Sequence, residues 1–179
     1  MPFPFTECRD ILLQDVLEAL SGNRTRIAAL EVDTPRPSLS GMSLDVLPWH
    51  QFACISFRKW GTETSEGDSR YSPADWELYE FIGDGYFEKT RECTAGLYQS
   101  PPDGITPAHC AHLIYTAGAE ALLDPAVAQE LQASGIDAPL ITDDTAGSFE
   151  FIVLDEDKVI TANYCEVTIA SRLTRRLLD

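Results

Sequence analysis

Apolar side chains recur at helical spacing near the start of the chain. Leu12, Leu13, Val16, Leu17 and Leu20 form one stripe, with Arg9, Gln14 and Glu18 outside it. This predicts a helix over 7–20, with Thr6 as N-cap and Gly22 just past its end. The run IAALEV at 27–32 then alternates, which predicts a strand with Ala28, Leu30 and Val32 on one face, before Pro35 and Pro37 interrupt. Residues 43–59 predict two more strands. Leu44 and Val46 alternate with other neighbours, and Pro48 closes the first or places it at a sheet edge. In the second, FACISF at 52–57, Ala53, Ile55 and Phe57 share a face opposite Phe52 and Cys54, and the turn falls at 48–51. Together these three strands predict an antiparallel sheet on which the first helix packs.

Past a polar loop at 61–69, RYSPADWELYEFIGD predicts a helix. Ser72 caps it, Pro73 fits the first turn and Asp75 occupies the capping-box position. Trp76, Tyr79 and Ile82 recur on one face, and Gly83 and Gly85 stop it. Thr106-Pro107 opens a further helix reaching 123, with Ala111, Ile114, Tyr115 and Leu122 inward. Asp124-Pro125 opens another, with Val127 and Leu131 inward and Gly135 at its end. A proline inside one continuous helix would cost a hydrogen bond, so two helices meeting at a corner are expected. FEFIVL at 149–154, the acidic tip Asp155-Glu156-Asp157 and residues 159–164 predict a hairpin. Ala170, Leu173 and Leu177 mark a C-terminal helix, although β-branched Val167-Thr168-Ile169 would let the strand run further. The sum is one α+β domain over 1–179, an antiparallel sheet flanked by helices.

Charge changes this picture more than composition does. With 179 residues and a 44% apolar fraction, the chain is long and apolar enough to fold without disulfides or metal. Its net charge of −16 repels nucleic acid and anionic membrane and favours cationic partners. Solubility alone would also account for an acidic chain. The charge is unevenly placed: residues 92–157 hold no Lys or Arg but twelve acids. The densest basic set, Arg172, Arg175 and Arg176, suits the negative end of the last helix. Five cysteines at wide spacings, with no Cys-x-x-Cys, suit reduced thiols in a cytoplasmic protein. MPFPFTECRDILLQ has no basic region ahead of its apolar residues, which predicts no signal peptide, and no apolar run reaches membrane-spanning length.

Motifs for chemistry are sparse. His109 and His112 flank Cys110 at helical i, i+3 spacing, a pattern found in helix-borne metal sites. A zinc site needs three or four ligands, and no second paired motif accompanies these two. A helix start with two partly exposed histidines and a buried cysteine explains the same residues. Neither Gly-x-Ser-x-Gly nor His-Glu-x-x-His is present. Asp155-Glu156-Asp157 lacks the further ligands of a calcium loop. No cofactor is expected.

Two segments, SLDVLPWHQFACISFRKW and RYSPADWELYEFI, carry a family likeness. The strand pair, the Pro-Trp before the second strand and the Arg-Tyr-Ser-Pro-Ala-Asp-Trp start resemble small acidic bacterial immunity proteins of polymorphic and secreted toxin systems. The resemblance covers residues 43–83. It implies a cytoplasmic, non-enzymatic α+β protein that neutralises a cognate toxin by occluding its active site.

Charge and resemblance together point to a binding protein for a basic protein partner, a secreted toxin, and not for nucleic acid or membrane. The expected partner-binding residues are Glu120, Glu130, Asp137, Asp143 and Asp144, with Trp60 as an anchor. Two alternatives stand beside this. One is a metal-dependent enzyme using His109 and His112; the other is a structural or regulatory interaction module. The oligomeric state is not legible in the sequence.

Overall fold

The computed structural model describes residues 2–30, 39–59, 72–136, 149–155 and 162–178. Its first helix, α1 (Phe5–Gly22), starts before Thr6 and buries Cys8, Leu12, Val16, Ala19 and Leu20 along one stripe. Thr6 is therefore inside the helix and Pro4 takes the N-cap position. Asn23, not Gly22, ends it: its backbone N–H donates to Leu20 O and its side-chain amide to Ala19 O.

The expected strand over 27–32 is not there. Arg24–Ala28 forms a short helix, α2, in which Ile27 is buried while Ala28 is exposed. Asn23 O accepts the Ile27 N–H at 2.9 Å, so the chain coils straight on from α1. Alternation over a few residues was outweighed by this local turn; residues 31–32 lie outside the described part.

The sheet has strand order β3-β2-β1-β4. Strands β1 (Leu39–Leu47) and β2 (Phe52–Lys59) are the expected antiparallel pair, joined through a 3₁₀ turn at Pro48–His50 and Gln51, whose φ is 52°. Strand β3 (Leu78–Ile82) lies on β2 where a helix was expected. Ser72-Pro73-Ala74-Asp75 makes only a 3₁₀ turn, and Trp76 is already extended at φ −79°, ψ 144°. The Ser72 hydroxyl donates to the Asp75 carboxylate at 2.7 Å and caps no backbone N–H. Residues 76–82 are rich in aromatic and β-forming side chains, which gain more by lying along an open sheet edge. The expected aromatic helix face is thus split: Ile82 pairs with Ile55 and Leu78 with Phe57.

Strand β4 (Glu150–Ile152) corrects the hairpin expectation. It pairs parallel with β1, and Tyr164, the last residue of the expected return strand, opens the last helix; residues 156–161 lie outside the described residues. A parallel partner needs a long crossover, which the helices between β3 and β4 supply. Asp155, expected at an exposed tip, is buried.

Those crossover helices are α3 (Glu88–Gln99), α4 (Pro107–Leu122) and α5 (Pro125–Ala133). Thr106 caps α4 by accepting the His109 N–H, and Asp124 caps α5 by accepting the Ala126 N–H at 3.0 Å. Both x-Pro starts behave as the sequence predicts, and Ala111, Ile114, Tyr115, Leu122, Val127 and Leu131 are buried as expected. Helix α3 has no obvious apolar stripe; its inner residues are Thr90, Thr94 and Ala95. Helix α6 (Tyr164–Leu178) begins at Asn163, whose Oδ1 accepts N–H groups from Cys165 and Val153 and whose amide donates to Phe151 O. This junction fixes the helix start and overrides the β-branched run at 167–169.

The structure is a mostly antiparallel sheet flanked by helices around one core. Met42, Leu44, Val46, Ala53, Ile55 and Phe57 supply the sheet's inner face. Helix α4 lies against it, with Gly118 beside Leu44 and Val153. Helix α1, expected to lie flat on the strands, packs chiefly on α4, α3 and α5 instead.

Candidate binding surface

The acids of residues 92–157 reveal an internal role first. Four of them take arginines from outside that stretch. Asp124 accepts from Arg9 at 2.5 Å, Glu130 is held in a fork by Arg24 at 2.7–3.2 Å, Glu150 accepts from Arg58 at 2.9 Å, and Glu120 pairs with Arg172. These pairs tie α5 to α1 and α2, β4 to β2, and α4 to α6. Elsewhere Lys59 meets Glu77, Lys89 meets Glu18 and Arg91 meets Asp84. Most described cations are thereby spoken for within the fold.

Of the sequence-predicted contact residues, Glu120 and Glu130 are on neighbouring helices and both half-buried in these pairs. A partner's cation would compete with Arg172 and Arg24 for them. Asp137, Asp143, Asp144 and Trp60 lie outside the described residues. Glu7, Glu80, Glu88 and Glu92 are exposed and have no cationic partner among the described residues. Glu88 and Glu92 stand on α3, a helix that the sequence pattern does not announce. Their i, i+4 spacing was the available signal.

A cleft of about 190 Å³ opens between α4 and α6. His112 Nδ1 stands 2.9 Å from the Tyr164 hydroxyl at one end, and the Glu120–Arg172 pair lies along the wall. Burial, with Asp155 nearby, pushes the Tyr164 phenol up to about 12, so it is a neutral hydrogen-bonding group at physiological pH. His109, one turn earlier, is exposed, and the buried Cys110 thiol donates to Leu97 O at 3.2 Å. The three residues of the sequence motif therefore point to three different environments. Among the described residues no group of three or more His, Cys, Asp or Glu side chains could hold a metal ion.

The outer face of the sheet carries a polar cluster that sequence reading did not anticipate. Asp45 accepts hydrogen bonds from Ser43 Oγ at 2.5 Å, Ser56 Oγ at 2.7 Å and the Cys54 thiol at 3.5 Å. Burial raises the Asp45 carboxyl above its ordinary range despite these donors. Burial, with Asp45 beside it, raises the Cys54 thiol as well, which removes it as a nucleophile. Ser56 Oγ also accepts the Glu80 N–H at 3.1 Å, at the bulge where Glu80 has φ 50°. The cluster is internally satisfied and holds β1, β2 and β3 in register.

No described helix is long and apolar enough to cross a membrane. Set against protein-family models, curated proteins and solved structures, the chain matches none of them.

Proposed function

We propose that this chain is a non-enzymatic acidic binding protein, and most concretely an immunity protein that neutralises a basic toxin by occluding its active site. One observation carries the reading. The fold spends most of its described cations on internal pairs, while Glu7, Glu80, Glu88 and Glu92 are exposed without a cationic partner among the described residues, in a chain of 29 acids and 13 cations. A negative field of this kind draws a cationic cleft toward it and speeds encounter. The strand pair of the family likeness is present as β1–β2. The helix half of that likeness is a 3₁₀ turn and a strand here, so it lends no support.

A pull-down from the native host should recover a basic protein, encoded beside a gene for this chain. Association should slow about tenfold or more as the Debye length falls from roughly 30 Å to 8 Å between low and physiological salt. Charge reversal at Asp143 and Asp144 should slow it further. A salt-independent on-rate, or a gene neighbourhood without any secreted or toxin-like protein, would sink the assignment.

A further inference from the structure

Three of the five cysteines, distant in sequence, converge where α1, α3 and α4 meet. Asp15 of α1 is buried and accepts the Thr90 N–H at 2.8 Å, which caps the first turn of α3 from another helix. Lys89 stands 3.6 Å from Glu18 on the same seam, so position falls along α1 as it rises along α3. Two turns before Asp15, on the same face of α1, is Cys8; one turn beyond Thr90 on α3 is Cys93. Their thiols lie beside each other across the seam, each shifting the other's titration. Cys110 completes the group from α4, but its thiol is committed to Leu97 O.

The three thiols differ in access. Cys8 and Cys110 are fully buried, whereas Cys93 is partly exposed at the edge of the core. A dissolved oxidant reaches Cys93 first. Cys8 beside it lowers the Cys93 thiol below its ordinary value, outweighing burial and Glu7, while Cys93 and burial raise Cys8. The accessible sulfur is the one placed to meet the oxidant, and the buried one to follow.

We propose that Cys93 and Cys8 form a peroxide-oxidised modification site that closes into a disulfide joining α1 to α3. The Cys93 thiolate attacks hydrogen peroxide; an S–O bond forms, the O–O bond breaks and hydroxide leaves, giving a sulfenic acid. The Cys8 thiol gives up its proton and its sulfur attacks Cys93. The S–S bond forms, the S–O bond breaks, and the departing hydroxide takes up the proton as water. Two thiols lose two electrons and two protons, and one peroxide becomes two waters. Exposed Glu7 and Glu92, each next in sequence to one of the pair, favour this neutral oxidant over anionic glutathione disulfide.

The test uses the full chain, reduced, treated with near-stoichiometric hydrogen peroxide and then alkylated. The expected product has lost two hydrogens and two alkylatable thiols, and its digest links the Cys8 and Cys93 peptides. Cys110→Ala should react likewise. Cys8→Ser should stop at a Cys93 sulfenic acid that dimedone captures; Cys93→Ser, at the less buried position, should keep all four remaining thiols. Five intact thiols after treatment, a Cys93–Cys110 link, or unimpaired disulfide formation in Cys93→Ser would overturn the proposal. So would a stable glutathione adduct on Cys93 forming as readily as the internal bond.

Discussion

Asp45 shows how one side chain can set a pH dependence. Its folded-state carboxyl is raised by burial, more than Ser43, Ser56 and Cys54 can lower it by donating. Its contribution to stability is therefore full below the ordinary Asp value of about 3.9 and is lost as pH rises through the raised folded value. Asp45→Asn removes that loss: the variant should gain stability relative to wild type as pH increases, read as denaturant midpoints from acid to neutrality. A constant difference across that range would mean the Asp45 carboxyl titrates alike in the folded and unfolded chain. Ser56→Ala is expected to cost about 1–3 kcal/mol, because Asp45 loses a donor and the Glu80 N–H loses its acceptor together. Residues of this kind were not legible in the sequence. Thr106 and Asp124 were, because a cap acts on N–H groups two or three residues away. Asp45 and Ser56 are eleven residues apart, and Ser56 meets Glu80 across twenty-four. No local pattern encodes such partners.

Among elements, the same x-Pro start had two fates, and the residues after it decide which. Past Pro107 and Pro125 come alanines and a stripe of apolar residues that bury on one side; past Pro73 come Trp76, Leu78, Tyr79, Phe81 and Ile82, which suit a pleated edge. At Ser72-Pro73 the expected cap and helix both give way to a 3₁₀ turn without a side-chain cap. Helix α3 escaped notice for a different reason: its first turn is capped by Asp15, seventy-five residues earlier, and its inner face is mostly hydroxyl and methyl. Two glycines test how tightly the elements fit. A Cβ at Gly118 of α4 would meet Leu44 Cδ2 at 3.7 Å and Val153 at 3.8 Å, ordinary contact distances. Gly118→Ala should therefore stabilise by about 0.5–1 kcal/mol through helix propensity. A Cβ at Gly41 would come within 3.0 Å of the Glu150 carbonyl, on the three-residue pairing of β4 with β1. Gly41→Ala should destabilise by about 1–3 kcal/mol. Thermal melts of the two variants should move in opposite directions; parallel shifts would mean the sheet adapts at Gly41.

At the scale of the molecule, the cation-free stretch and the cation-bearing flanks are two halves of one electrostatic design. Sequence alone showed an acidic block and suggested that it faces outward. The fold brings the flanking arginines onto it, at Asp124, Glu130, Glu150 and Glu120. Glu130 distinguishes the internal use from the external one. Its pair with Arg24 is partly exposed, with side-chain exposures of 25% and 49%, so it contributes at most about 1 kcal/mol to stability. Arg24→Gln should accordingly leave the denaturant midpoint nearly unchanged while releasing a carboxylate into solvent. If Glu130 belongs to the surface that meets a basic partner, that variant should associate faster at low salt, with polylysine as the first probe and the recovered partner as the second. Lys59→Gln is the matched control: it makes the same change in net charge beside Glu77, outside the acidic stretch. A larger acceleration from Arg24→Gln locates the steering field near α5. Equal acceleration from both variants would show that total charge alone draws the partner in, and would remove Glu130 from the contact surface.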